Sequence, residues 1–173
     1  MPAAAPTLLL VTPYLADANN GNWRTADRWS RLLAPTYGTI LQSADAAPSD
    51  ARSGMAVAMI ALHARRSRAA IERWKREFSQ RALVVVLTGT DLYRDLPQGD
   101  GATKKSIADA DRLIVLQEDA IAHLPAGVRH KADVVYQSAR SLAPYKRKAA
   151  SRLNCVFVAH LRNEKDPQTV FDA

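Results

Sequence analysis

The stretch from Thr7 to Leu33 constrains this chain more than any other. Four consecutive apolar residues, Leu8 to Val11, give way to Thr12-Pro13-Tyr14 and then to Asn19-Asn20-Gly21-Asn22. An amphipathic pattern follows from Trp23 to Leu33. Strand, tight loop and helix in that order open an α/β unit, where loop N–H groups and a helix N-terminus converge and can take an anion. The layout recurs along the chain. Candidate strands Leu8–Thr12, Thr39–Gln42, Val57–Leu62, Leu83–Thr88, Leu113–Leu116, Val134–Gln137 and Val156–Ala159 alternate with candidate helices Trp23–Leu33, Ala64–Phe78, Thr103–Ala110 and Glu118–His123. Such alternation predicts an α/β fold: a Rossmann-like parallel sheet with helices on both faces. Leu83 to Leu87 is apolar at every position, as a central strand buried on both sides requires.

Bulk properties narrow the classes. A chain of 173 residues suffices for one well-packed domain and the opening of another. No apolar run approaches the roughly 20 residues of a membrane span, and the N-terminal Met-Pro-Ala-Ala-Ala-Pro-Thr lacks the basic start of a signal peptide. Cys155 is the single cysteine, which excludes an internal disulfide and a cysteine-built metal site and makes a cytoplasmic location the simplest expectation. The net charge of +7 points to anionic partners. The arginines are spread over several helices and the aromatics, 6% of residues, do not interleave with them, so neither nucleic acid nor a membrane is the expected partner. The four histidines show no ligand spacing, and neither metal nor cofactor is expected.

The pattern breaks between Ala139 and Arg152, where Pro144 and five basic residues (Arg140, Lys146, Arg147, Lys148, Arg152) read as a linker. The expected organisation is a domain over 1–138, a linker over 139–152 and, over 153–173, the start of a second domain. One strand and a few helical residues cannot bury a core of their own, so that second domain reads as truncated.

Four constellations offer chemistry at strand ends. In the first helix Ala26, Trp29, Leu32 and Leu33 form the apolar stripe, with Arg24, Asp27, Arg28 and Arg31 opposite. Asp27 and Arg31 are an i,i+4 pair and read as solvated charge. Asn20, Gly21, Asn22, Arg24 and Thr25 lie at the helix start, where a bound anion would offset the cost of a cation against the macrodipole; the alternative is a structural turn with Gly21 at positive φ. In the second helix Ser67, Ile71, Trp74 and Phe78 make the core stripe, and His63, Arg65 and Arg66 stand ahead of them, directly after a strand. Two arginines in a first turn favour an anion there; the alternative is a surface turn with His63 as a cap. Thr88, Gly89, Thr90 and Asp91 follow the buried strand, and their hydroxyls and carboxylate can orient a phosphate or accept a proton, or form a capping turn. Gln137 and Ser138 are expected to point into the same crevice. Finally His160, Arg162 and Lys165 follow the last candidate strand, a fork and a point charge suited to a diphosphate.

Taken together, Leu-Val-Thr-Pro-Tyr with Asn-Asn-Gly-Asn-Trp-Arg-Thr, Leu62-His63-Ala64-Arg65-Arg66-Ser67, Leu87-Thr88-Gly89-Thr90-Asp91-Leu92-Tyr93, Tyr136-Gln137-Ser138 and His160-Leu161-Arg162-Asn163-Glu164-Lys165-Asp166-Pro167 resemble the selenosugar synthases of selenoneine biosynthesis, which are related to the group 1 (family 4) glycosyltransferases. The resemblance covers nearly the whole chain. It implies a GT-B architecture of two Rossmann-like domains, with 1–138 as the N-terminal acceptor domain and 153–173 as the start of the donor domain. It also implies transfer of a sugar, N-acetylglucosamine expected, from a UDP-sugar to the selenium of selenophosphate. On this resemblance His63, Arg65 and Arg66 bind the acceptor anion, and Asn20, Gly21, Asn22, Arg24 and Thr25 wall the cleft. Thr88, Gly89, Thr90, Gln137 and Ser138 complete the acceptor side. Asp91 or His63 moves the proton, and Lys165, Arg162 and His160 face the donor. The sequence departs from the broader group in one respect. That group has Gly-Arg-Leu followed by a Lys in the donor loop; Lys165 matches the Lys, whereas Ala159 and His160 occupy the Gly and Arg positions.

Two other readings fit the same residues. One is a GT-B enzyme with a conventional hydroxyl or thiol acceptor, the other a basic module that binds acidic partners. On the glycosyltransferase reading, residues 1–173 alone are expected to be inactive, because uniting donor with acceptor supplies most of the catalysis.

Overall fold

The structure, a computed structural model, describes residues 5–18, 20–46, 53–141, 143, 155–159, 161 and 165–172. Contacts divide the chain into two compact units, Met1–Ser138 and Ala139–Ala173.

The first unit carries a six-stranded, all-parallel sheet in the order β2-β1-β3-β4-β5-β6, with helices on both faces: a Rossmann-like α/β domain. The strands are β1 (Thr7–Thr12), β2 (Gly38–Ser43), β3 (Ala56–Leu62), β4 (Ala82–Val86), β5 (Arg112–Val115) and β6 (Ala132–Val134). Helices α1 (Gly21–Leu33), α2 (Arg68–Glu77), α3 (Gly101–Asp109) and α4 (Asp119–Ala122) connect them.

Strand alternation sends the side chains to two cores. Leu9, Val11, Met59, Ala61, Leu83, Val85, Leu113 and Val115 meet Ile71 and Trp74 of α2, Ile107 of α3 and Ala120 of α4. Leu62 and Val86 meet Ala26 of α1 on the other face, with Trp29, Leu41, Ile60 and Ile114 packed around them. Each fully buried Leu or Ile contributes about 2 kcal/mol by leaving water, which is why the period-2 pattern decides the sheet. The expected α2 stripe is confirmed: Ser67 and Ile71 are inaccessible, Trp74 nearly so, and Phe78 packs against the same core.

Three expectations need correction. Leu32 is 59% exposed, so the buried face of α1 is Thr25, Ala26 and Trp29 rather than a stripe through Leu32. The last strand of this unit ends at Val134 instead of running to Gln137, because β6 pairs with β5 only from Ala132 to Val134. The second helix begins at Arg68, not Ala64, since residues 64–67 form a turn.

In the second unit, residues 155–159 are not a strand, against expectation. Val156 and Val158 are 82% and 89% exposed, and a strand exists only through a ladder with a neighbour, which no described residue of that unit provides. Helix α5 (Pro167–Asp172) follows. Pro167 occupies its first position, where a missing N–H costs nothing, and the Thr169 hydroxyl donates to Asp166 Oδ2 at 2.7 Å. Among the described residues no helix is long and apolar enough to cross a membrane.

Candidate functional site

The strand order fixes where a ligand can sit. From β1 the chain moves outward to β2 on one side and resumes at β3 on the other, so the topological switch point lies between β1 and β3. Ligands of open α/β sheets bind beyond the carboxyl ends of such strands. The segments leaving β1 and β3 here are Pro13–Asn20 and His63–Ser67, two of the stretches singled out by the sequence.

On the β1 side, α1 starts at Gly21 with Asn20 as its N-cap; the Asn20 side chain accepts the Trp23 N–H at 3.1 Å. Gly21 therefore sits inside the helix, and Gly99 is the one glycine at positive φ among the described residues. A Cβ at Gly21 would meet nothing within 4 Å, so the space beside this residue is open. Asn22 is half-buried and Arg24 exposed on the first turn. Thr25 is buried and turned inward, its hydroxyl donating to Gly21 O at 2.9 Å.

On the β3 side, His63 makes a sharp turn at φ +68°. Ser67 closes it: its N–H donates to His63 O at 3.0 Å and its hydroxyl to Leu62 O at 2.6 Å. The His63 side chain is only 5% exposed, and Nδ1 lies 2.6 Å from Oδ1 of the inaccessible Asp91. The two atoms are in close contact without an aligned hydrogen bond between them.

Asp91 belongs to the third stretch and reaches across to the second. Its Oδ2 accepts the Ala64 N–H (3.2 Å), the Thr88 N–H (2.9 Å) and the Thr88 hydroxyl (3.0 Å), while Oδ1 accepts the Arg65 N–H (3.3 Å). With both oxygens engaged and no exposed surface, Asp91 lies against His63 and locks the turn to the end of β4. Thr88 is thus part of this lock; Gly89 is exposed, and Thr90 sits ahead of a single π-helical turn, Asp91–Asp95.

The two neighbouring arginines have different surroundings. Arg65 points toward two carboxylates, Asp95 Oδ1 at 3.5 Å and Asp100 Oδ2 at 3.6 Å. Asp95 is buried and also takes Arg94 Nε at 3.0 Å. Two hydrogen bonds from Thr103, backbone then hydroxyl, hold the Asp100 carboxyl below its ordinary pKa, with the Arg65 charge adding to the effect. Arg66 turns the other way and lays its guanidinium over the Tyr14 ring, 5.2 Å from the centroid.

Gln137 and Ser138, expected in the crevice beside the Thr88–Asp91 turn, contact α1 and not that turn. Gln137 Nε2 donates to Thr25 Oγ1 at 3.0 Å and Arg28 Nε to Ser138 Oγ at 2.7 Å. Lys165 is exposed in the second unit, and His160 and Arg162 lie outside the described residues.

The sequence reading missed Tyr14, Arg94 and Asp95. Asp95 carried a signal, standing four residues after Asp91 beyond a glycine turn, but its role depends on partners 30 residues away. His63 Nδ1 and carboxylate oxygens of Asp91 and Asp95 lie within 4.8 Å of one another, the described group that could hold a cation. Arg65 and Arg94 lie against the Asp95 carboxylate and four donors occupy Asp91, while His63 Nδ1 and Asp95 Oδ2 are buried without a hydrogen-bond partner among the described residues. A cavity of about 180 Å³ opens beside the site between the ends of β4 and β5, lined by Leu87, Gly89, Leu92, Tyr93, Leu116, Gln117 and Ala120. No protein-family model and no curated protein matches the chain.

Proposed function

We propose that this chain is the acceptor side of a GT-B glycosyltransferase that transfers a sugar, N-acetylglucosamine, from a UDP-sugar to the selenium of selenophosphate. The observation that carries the reading is the pairing, across the β1/β3 switch point, of the helix start at Asn20–Asn22 with the arginine-bearing turn His63–Arg66. A small, highly charged acceptor suits that pairing, and the motif resemblance supplies the chemistry.

In the reaction a selenium lone pair forms the bond to the anomeric carbon as the carbon–oxygen bond to UDP breaks and its electron pair leaves with the diphosphate. Water then cleaves the phosphorus–selenium bond, giving phosphate and a selenosugar. On this reading Asp91 or His63, which lie in contact, moves the proton of that hydrolysis. Lys165, Arg162 and His160 would neutralise the leaving diphosphate without a metal.

The test uses the full-length protein that contains this chain, given selenophosphate and a panel of UDP-sugars and analysed by mass spectrometry. A selenosugar dependent on UDP-N-acetylglucosamine is expected. Glycosylation of hydroxyl or thiol compounds alone would assign a conventional acceptor, and salt-dependent binding of oligonucleotides without any transfer would assign a basic binding module.

A further inference from the structure

We infer that Arg66, whose guanidinium lies over the Tyr14 ring, is the anion-binding arginine of the His63–Ser67 turn, that Tyr14 is its positioning residue, and that Arg65 is a strut. The inference rests on the anion-binding reading of the switch-point crevice, not on the transfer chemistry.

Three observations separate the adjacent arginines. Arg65 lies within 4 Å of two carboxylates, Asp95 and Asp100, and its backbone N–H is taken by Asp91. An incoming anion would meet a guanidinium whose charge those two carboxylates already offset. Arg66 is exposed and makes no ion pair with any carboxylate among the described residues; its described contact is the face of Tyr14.

The third observation is position. Tyr14 leaves β1 and Arg66 leaves β3, so their contact spans the switch point itself. A ring beside a guanidinium restricts the side chain without taking up its N–H donors as a carboxylate would. An oxyanion of phosphate size can then take two parallel N–H groups from a preorganised arginine. Tyr14 is 38% exposed, as a platform at the mouth of a crevice must be. Its hydroxyl has no part in this arrangement; the π face does.

The experiment is titration of the purified chain with inorganic phosphate, followed by amide chemical shifts. Arg66→Ala should weaken binding about tenfold or more, the scale of a lost bidentate charge-assisted pair. Arg66→Lys should recover little of it, because an ammonium neither stacks nor forks. Tyr14→Phe should bind within about twofold of the parent, and Tyr14→Leu about three- to fivefold more weakly, the scale of an exposed cation–π contact. Arg65→Ala should lower the melting temperature and leave phosphate affinity within about twofold. Both substituted groups at the Tyr14–Arg66 contact are exposed, so the variants keep the fold. Parent affinity in Arg66→Ala, or an equal loss in Arg65→Ala and Arg66→Ala, overturns the assignment alone. A parent chain that takes no phosphate at tens of millimolar overturns the anion-binding reading and this assignment with it. Phosphate binding that depends on Arg66 in a protein without transferase activity sustains this inference while the proposed function fails.

Discussion

Oδ1 of Asp91 stands 2.6 Å from Nδ1 of His63, and the same carboxylate gathers the N–H groups of Ala64, Arg65 and Thr88. Residues 27 positions apart in sequence are thereby fastened at the ends of adjacent strands. Asp91→Asn places an amide NH₂ where a carboxylate oxygen now accepts N–H bonds. A buried network losing its charge in this way costs about 3 kcal/mol. Urea unfolding should show that loss with an unchanged slope, and a variant within 0.5 kcal/mol of the parent, on the order of an ordinary surface substitution, would refute the lock.

Asp100 caps α3 by accepting the Thr103 N–H at 2.7 Å and hydroxyl at 2.8 Å. Asp100→Ala should cost about 1 kcal/mol near neutral pH. Because these bonds depress the folded carboxyl below its unfolded value, the stabilisation is present above about pH 4 and fades as pH falls through the folded value. The gap between parent and variant in chemical denaturation should therefore narrow in acid. A gap that widened below that pH would show the cap does not rest on the charged form.

The sheet was legible because its signal is local. Leu83 to Leu87 could be read as a central strand from composition alone, and Leu83, Val85, Val86 and Leu87 are indeed inaccessible. The stripe Ser67-Ile71-Trp74 was legible for the same reason. The start of α2 was not: Ala64, Arg65 and Arg66 suit a helix well, and only the distant Asp91 draws the N–H groups of Ala64 and Arg65 into a turn. Val156–Ala159 has the composition of a strand and, among the described residues, no partner strand, a fact no local pattern carries.

Much the same division holds for the candidate site. The residue types at the strand ends were legible, since polar and basic residues after an apolar run mark the ligand-binding edge of an α/β sheet. Their division of labour was not. Arg65 and Arg66 are identical and adjacent, and only the folded neighbours (Asp95 and Asp100 for one, Tyr14 for the other) tell them apart.

Gly99 adopts φ +78° in the turn that leads from the Asp91–Asp95 segment into α3. An added Cβ would meet only Lys104 Nζ, 3.5 Å away at the end of a flexible side chain. Gly99→Ala should thus lose about 1–2 kcal/mol through backbone strain alone. Gly99→Asn, which tolerates the left-handed region, should lose less. Equal stability of the alanine variant and the parent in urea would contradict the turn geometry.

The segment after β6 is held to α1 by two side-chain bonds, Gln137 to Thr25 and Arg28 to Ser138. Its last ladder bond is the Val135 N–H to Val115 O, at 2.9 Å. Beyond it these two side-chain bonds tie Gln137 and Ser138 to the helix that walls the proposed crevice. Removing both ties in Arg28→Ala/Gln137→Ala touches no core residue, so global stability should fall by less than about 1 kcal/mol. Local opening is a separate quantity and should respond more strongly. Hydrogen exchange at 135–138, read by mass spectrometry, should accelerate severalfold while the β1, β3 and β4 amides keep their protection. Unchanged exchange at 135–138 would mean that the backbone path, and not these two contacts, holds the crossing in place.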